Sequence, residues 1–337
     1  MGEFRITAGD YSADIVARGA GLRAVRHGDR LLTETWDAAE VLATEGGKPP
    51  LSAGLVLAPW PNRTADGRYT FNGVDHKLEI TETARNNANH GFVRTVEWNL
   101  HEVTDRSVTL GVPIGRHPGW PFDLTLVAEY ALDAETGLTV TVTVTNVGDT
   151  TAPFALGHHT FVRAGDADID DCTLQLAGAA TLPLDPQRQL PAGDPTPVAG
   201  TDLDFRSPRR IDGVWMDTPF TDLAVEPGRT GSTTGSEGRH RNRLTAPDGG
   251  STELWTDLGF RWAQVFTADP AHDQAFPGRG RALAIEPMTA PPNALASGTD
   301  LIVCAPGQMW SGSWGLLHHG SGDQARGDAA GPEVLPA

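Results

Sequence analysis

Glu286 closes the apolar run Ala282-Leu283-Ala284-Ile285, and its setting is that of a candidate general base. Four apolar residues predict a short buried strand. Pro287 follows at once and has no N–H for a sheet ladder, so the strand is expected to stop there. Pro291-Pro292 then stiffen the exit into an exposed turn. A carboxylate that is rigidly held and partly desolvated has its pKa driven towards the range useful for accepting a proton. A glutamate that merely ends a strand has the same local sequence, so its partners decide between the two readings.

His159 is the candidate partner. In Gly157-His158-His159-Thr160-Phe161, an extended backbone sends the two histidines to opposite faces, so they are not expected to chelate one metal together. His159 shares its face with Ala155, Gly157 and Phe161, and the small neighbours leave room for a ligand over its ring. An imidazole in a cleft can serve as a general acid near neutral pH; one hydrogen-bonded inside a sheet is structural. Pro59-Trp60-Pro61-Asn62-Arg63 is a stiff loop presenting Arg63, whose guanidinium suits forked hydrogen bonds to vicinal hydroxyls or to a phosphate. Asn89-His90-Gly91-Phe92-Val93-Arg94 offers His90 and Arg94 around a turn glycine. Met216-Asp217-Thr218-Pro219-Phe220 sets Asp217 before a strand start, where taken alone it reads as a turn former.

The elements that must position these groups are strands. From Leu138 to Asn146, Leu138, Val140, Val142, Val144 and Asn146 fall on one face and four threonines on the other, the pattern of an antiparallel sheet packed on one side. Similar short strands are predicted at Arg68–Phe71, ahead of the hairpin signal Asn72-Gly73, and at Leu124–Tyr130, Thr173–Leu176 and Phe260–Phe266. The 39 glycines and 25 prolines fit many turns, and only Asp37–Leu42 reads faintly as helix. No fixed-period repeat and no dividing linker is visible. The expected fold is all-β: one large single-domain antiparallel β-sandwich over residues 1–319, with a mobile loop at Gly228–Gly238 and a disordered tail over 320–337.

Composition narrows the function. In 337 residues, 43 acidic against 26 basic give a formal charge of −17, which argues against nucleic acid or an anionic membrane as partner. Lys48 and Lys77 are the only lysines, leaving few candidates for Schiff-base chemistry. Cys172 and Cys304, with no CxxC, fit a reducing compartment, and no leader precedes them, so a cytoplasmic location is expected. Nine tryptophans against three tyrosines are compatible with stacking on sugar rings as well as with core burial. No dinucleotide fingerprint, P-loop, GxSxG or zinc-type cluster is found, so neither cofactor nor metal is expected.

Five pieces, taken in order, resemble the aldose 1-epimerase (galactose mutarotase) family. They are Pro59-Trp60-Pro61-Asn62-Arg63 with Gly67-Arg68-Tyr69, Asn89-His90-Gly91, Gly157-His158-His159-Thr160-Phe161, Asp217 before Phe220, and Ile285-Glu286 with Pro291-Pro292-Asn293-Ala294. The resemblance runs from about Gly19 to about Leu317. It implies a large β-sandwich that interconverts the α and β anomers of a free hexose such as glucose or galactose, without a cofactor. It implies Glu286 as base, His159 as acid, and Arg63, His90 and Asp217 as groups that hold the sugar. His158 stands where the family often has Asn, Met288 where it often has Gln, and Asn293 where it often has Asp, departures that bear on the substrate and point to a divergent bacterial mutarotase-like branch. The competing readings are a hexose-6-phosphate 1-epimerase, for which Arg63 and Arg94 would supply a clamp, a glycosidase using Asp217 as second carboxylate, and a non-catalytic carbohydrate-binding sandwich, which needs no matched acid and base.

Overall fold

Period-two alternation becomes sheet throughout the computed structural model, which describes residues 2–38, 41, 47–227 and 238–322. The strand Gly137–Asn146 buries Leu138, Val140, Val142, Val144 and Asn146 and leaves its threonines half-exposed, as the alternation demands. It pairs antiparallel with Leu124–Asp133 on one side and Met309–His319 on the other. On its outer face Thr141 and Thr143 meet Ser313 and Ser311 hydroxyl to hydroxyl. Asn72 and Gly73 both take positive φ, 51° and 76°, and join Arg68–Phe71 to Val74–Lys77 in a tight hairpin.

Among the described residues, two large sheets dominate, one of ten strands and one of eight, with a four-stranded N-terminal sheet beside them. The ten-stranded sheet is centred on Leu124–Asp133, Gly137–Asn146, Met309–His319 and Ser251–Thr256. The eight-stranded sheet runs through Gly178–Thr181, Asp217–Leu223, Trp262–Ala268, Ala282–Met288, Gly157–His158 and Val56–Leu57. Phe220, Val265, Leu283 and Ile285 from the second share one core with Leu126, Val140, Val142 and Trp314 from the first. Ile6, Ile15 and Val25 of the N-terminal sheet join the same core. This is the antiparallel β-sandwich that the alternation predicts.

The strand bearing Glu286 does not stop at Pro287. It runs Ala282–Met288, with Pro287 opposite Ala263 and Met288 opposite Trp262. Successive N–H groups of a strand point to opposite sides. Ile285 donates to Thr160 O at 2.9 Å and Thr289 to Leu156 O at 2.9 Å, so the nitrogen of Pro287 faces the interrupted neighbour near His158. There the His158 carbonyl is taken by the N–H of Thr160 at 2.9 Å. A proline is tolerated because no ladder bond is wanted from it.

Within the faint helical stretch Asp37–Leu42, Val41 N–H donates to Asp37 O at 3.0 Å, while residues 39, 40 and 42 lie outside the described residues. The Gly228–Gly238 loop also lies outside them except for Gly238, which opens the strand Gly238–Thr245. Of the tail over 320–337, residues 323–337 lie outside.

Candidate active site

Alternation along Ala282–Met288 decides which side chains meet. Leu283 and Ile285 enter the inter-sheet core, so Ala282, Ala284, Glu286 and Met288 face the other way. Cross-strand partners share that face, which puts Gln264 directly opposite Glu286, Phe266 opposite Ala284, and Asp217 opposite Phe266. His158 and His159 split as expected. His158 turns inward, its ring 4.4 Å from that of Trp314, with Nδ1 2.7 Å from Thr160 Oγ1. His159 turns to the Glu286 face and stacks on Phe161 at 5.4 Å.

Glu286 Oε1 and His159 Nε2 lie 3.4 Å apart. Both residues are deeply buried, at 2% and 7% exposure. Burial drives the Glu286 carboxyl well above the usual carboxylate range; nearby Asp217 adds to the rise and Arg63 opposes it. Burial likewise drives the His159 imidazolium well below its usual range, helped by Arg94 and Lys48. Both directions favour the neutral form of each group. Glu286 Oε2 and His159 Nδ1 are buried without a hydrogen-bond partner. Such orphans cost about 1–3 kcal/mol each and mark positions where a ligand can supply the missing partner.

The three other predicted residues line the same face. The His90 ring meets the His159 ring edge-on at 5.9 Å. His90 Nδ1 accepts the N–H of Asn62 at 3.0 Å, so its own proton sits on Nε2 and it presents a donor. Burial, with the charges of Arg94 and neighbouring cations, keeps this imidazole neutral. Asp217 Oδ1 accepts from Gln264 Nε2 at 2.7 Å, and burial raises its carboxyl against the pull of Arg63. Arg63 is less free than the sequence implies. Its Nε and Nη2 grip Glu82 at 2.9 and 3.1 Å, and Nη1 donates to Asn62 Oδ1 at 3.3 Å. The guanidinium fork is thus filled by a carboxylate.

Backbone geometry fixes the loop that carries Arg63. Ala155 N–H donates to Pro59 O at 2.8 Å, and Phe92 N–H to Ala58 O at 2.8 Å. A Cβ at Gly91 would stand 1.9 Å from Ala58 O, at φ +61°, and one at Gly157 would stand 2.8 Å from Pro61 Cβ. Only glycine permits these approaches. Asn293 Oδ1 accepts from Ala65 N–H at 2.9 Å, and its own N–H donates to Arg63 O at 2.7 Å, tying the exit after Pro291-Pro292 to the Arg63 strand.

Three participants escaped the sequence reading. Gln264 links Asp217 to Asn62, whose Nδ2 donates to Gln264 Oε1 at 3.4 Å, and Glu82 holds Arg63. Asn62 stood inside a quoted motif and had a signal, its place between Pro61 and Arg63. Gln264 and Glu82 had none, because register and long-range pairing are not written locally.

The family model for aldose 1-epimerase matches residues 3–316. The uncharacterized protein YihR of Escherichia coli (strain K12) is 30% identical over 309 residues, covering 90% of this chain and 89% of that protein. The galactose mutarotase of Rattus norvegicus is 28% identical over 216 residues, 61% of this chain and 60% of its own. Among solved structures, galactose 1-epimerase from Lactobacillus acidophilus NCFM superposes with a TM-score of 0.74 over 94% of both chains at 17% identity, a likeness of fold.

Proposed function

The chain belongs to the aldose 1-epimerase family, and from that premise we propose that it interconverts the anomers of a free hexose such as glucose or galactose by acid–base ring opening at Glu286 and His159. The observation that carries the reading is the buried pair 3.4 Å apart, each member with an unpartnered atom. O1 and ring O5 of an aldose are bonded to the same carbon, so two groups this close can address both. A C1 hydroxyl hydrogen-bonded to Glu286 favours its charged form, and the reacting state carries the proton on His159. Glu286 then takes the O1 proton, His159 gives its proton to O5, the C1–O5 bond breaks and the aldehyde forms. Rotation about C1–C2 followed by the reverse transfers closes the other anomer. His90 Nε2–H, Arg63 and Asp217 hold hydroxyls and keep the ring in place, which supplies the orientation that the reaction requires.

A second reading, a hexose 6-phosphate as substrate, has one observation in its favour. Arg94 and Lys48 both depress protonation of His159, and among the described residues neither forms a close ion pair, Glu82 acting on Arg94 only at longer range. Against it, the fork of Arg63 is already occupied by Glu82. Polarimetry on fresh α-D-glucose and α-D-galactose, each with and without a 6-phosphate, decides. Accelerated mutarotation of the free sugars supports the first reading and of the phosphates alone the second. No acceleration of any of the four leaves a carbohydrate-binding role in its place.

A further inference from the structure

The turn over residues 184–191 takes no part in the proton transfers, yet one of its side chains grips the segment that holds Arg63. Leu184 and Pro191 pair across its base. Asp185 N–H donates to Leu190 O at 2.8 Å, and Asp185 Oδ1 accepts the N–H groups of Gln187 at 3.1 Å and Arg188 at 2.7 Å. The turn is folded on itself and presents Arg188 from a fixed backbone. Arg188 Nη2 donates to Asp66 Oδ1 at 2.8 Å and to Asn87 Oδ1 at 3.2 Å, and its Nε donates to Arg85 O at 3.2 Å. In return Asn87 Nδ2 donates to Arg188 O at 3.0 Å.

Asn87 and Arg85 pass this grip on. Asn87 is fully buried, and its Nδ2 also donates to Glu82 Oε2 at 3.2 Å, the oxygen that accepts Arg63 Nε. Arg85 Nη1 donates at 3.0 Å to Glu82 Oε1, the oxygen that accepts Arg63 Nη2. Arg188 therefore fixes a neighbour of each Glu82 oxygen. Strand pairing sets the reach. Arg63 lies opposite Asn89 and Ala65 opposite Asn87, so Arg188 meets this strand pair two residues, about 7 Å, from Arg63. A carboxylate aims a guanidinium only as firmly as it is itself held by surrounding hydrogen bonds. We propose that Arg188 is a positioning residue for sugar binding, a clasp that steadies Glu82 through Asn87 and Arg85 and so keeps Arg63 aimed at the substrate. This rests on the reading of Arg63 as a sugar-holding group.

The test combines Arg188→Ala, Arg188→Lys and Glu82→Gln in steady-state polarimetry. It also follows the Arg63 Nε–H signal by NMR, assigned from its loss in Arg63→Lys. Arg188→Ala should raise KM by about 2- to 30-fold with kcat falling less, and Arg188→Lys, which keeps a charge facing Asp66, should recover part of the loss. The Arg63 Nε–H should exchange with water faster in Arg188→Ala than in the wild type. In the double variant KM should stay within about 2-fold of Glu82→Gln alone, because both changes act on one arm. Effects on KM that multiply in the double variant overturn the clasp, as does Arg63 Nε–H exchange that Arg188→Ala leaves unchanged. A wild type without mutarotation overturns the epimerase reading, while the NMR comparison still decides whether Arg188 steadies Arg63.

Discussion

Arg63 shows how a site residue can be legible while its state is not. Its type and stiff loop marked it, but its bidentate bond to Glu82 sets what it can offer a ligand. Burial pushes the Glu82 carboxyl up, and the hydrogen bonds and charge of Arg63, with Asn87 and Arg85, outweigh it and hold the group below its ordinary value. Glu82→Gln should therefore leave Arg63 without a charged anchor. The expected outcome is a KM for sugar raised by about 10-fold, with kcat falling less, since a lost charge-assisted bond is worth roughly 1.5–3 kcal/mol. Steady-state polarimetry on the variant checks this. An effect confined to kcat would place Glu82 in the proton transfers instead. Glu286 and His159 were legible because proline and small residues surround them. Gln264 was not, because nothing in Phe260–Phe266 says which residue faces Glu286.

At the scale of elements, strand faces and the Asn72-Gly73 turn were read correctly, whereas several strand ends were misread and Pro291-Pro292, expected in an exposed turn, are buried. Asn72-Gly73 works locally, so sequence suffices, whereas Pro287 is tolerated only because its neighbour strand is interrupted at His158. Gly91 is where a single methyl should break an element. Gly91→Ala forces a positive-φ alanine against Ala58 O and should destabilise the protein by about 1–3 kcal/mol while displacing the Arg63 loop. Thermal melting with a parallel KM measurement reads both; unchanged melting would mean the loop yields freely. Glu253 gives the ten-stranded sheet a pH dependence. Burial raises its carboxyl, but a hydrogen bond from His319 and the charges of Arg241 and Arg243 bring it down to about 2 from 4.5. A depressed folded-state pKa contributes stability above the unfolded value, on the order of 3 kcal/mol, which is lost as pH falls from 4.5 through about 2. Glu253→Gln should destabilise strongly at pH 7, with the difference shrinking over that acid window in urea titrations. A pH-independent difference would show the effect to be packing alone.

For the whole molecule, fold class was legible because the long strands Leu124–Asp133, Gly137–Asn146 and Gly238–Thr245 are half-buried and alternate, whereas Trp262–Ala268 and Ala282–Met288 are buried on both faces and carry no such signal. Which sheet each strand joins was not legible, since the order in the eight-stranded sheet brings residues near 57, 158, 217, 264 and 286 together by long-range pairing. That pairing is what brings Glu286 within 3.4 Å of His159. Activity should follow a bell-shaped pH profile, falling in acid as the pair gains a second proton and in base as it loses its last one, with neither limb owned by one residue. The most direct measurement is mutarotation of α-D-glucose and α-D-galactose by wild type and Glu286→Gln at saturating sugar. Glutamine keeps the shape and hydrogen bonding but cannot take the O1 proton. The prediction is a fall in turnover of about 10²- to 10⁴-fold with sugar binding largely kept, and a comparable fall for His159→Gln. Near wild-type mutarotation by Glu286→Gln would contradict the account, because the group placed at its centre would then not be the base.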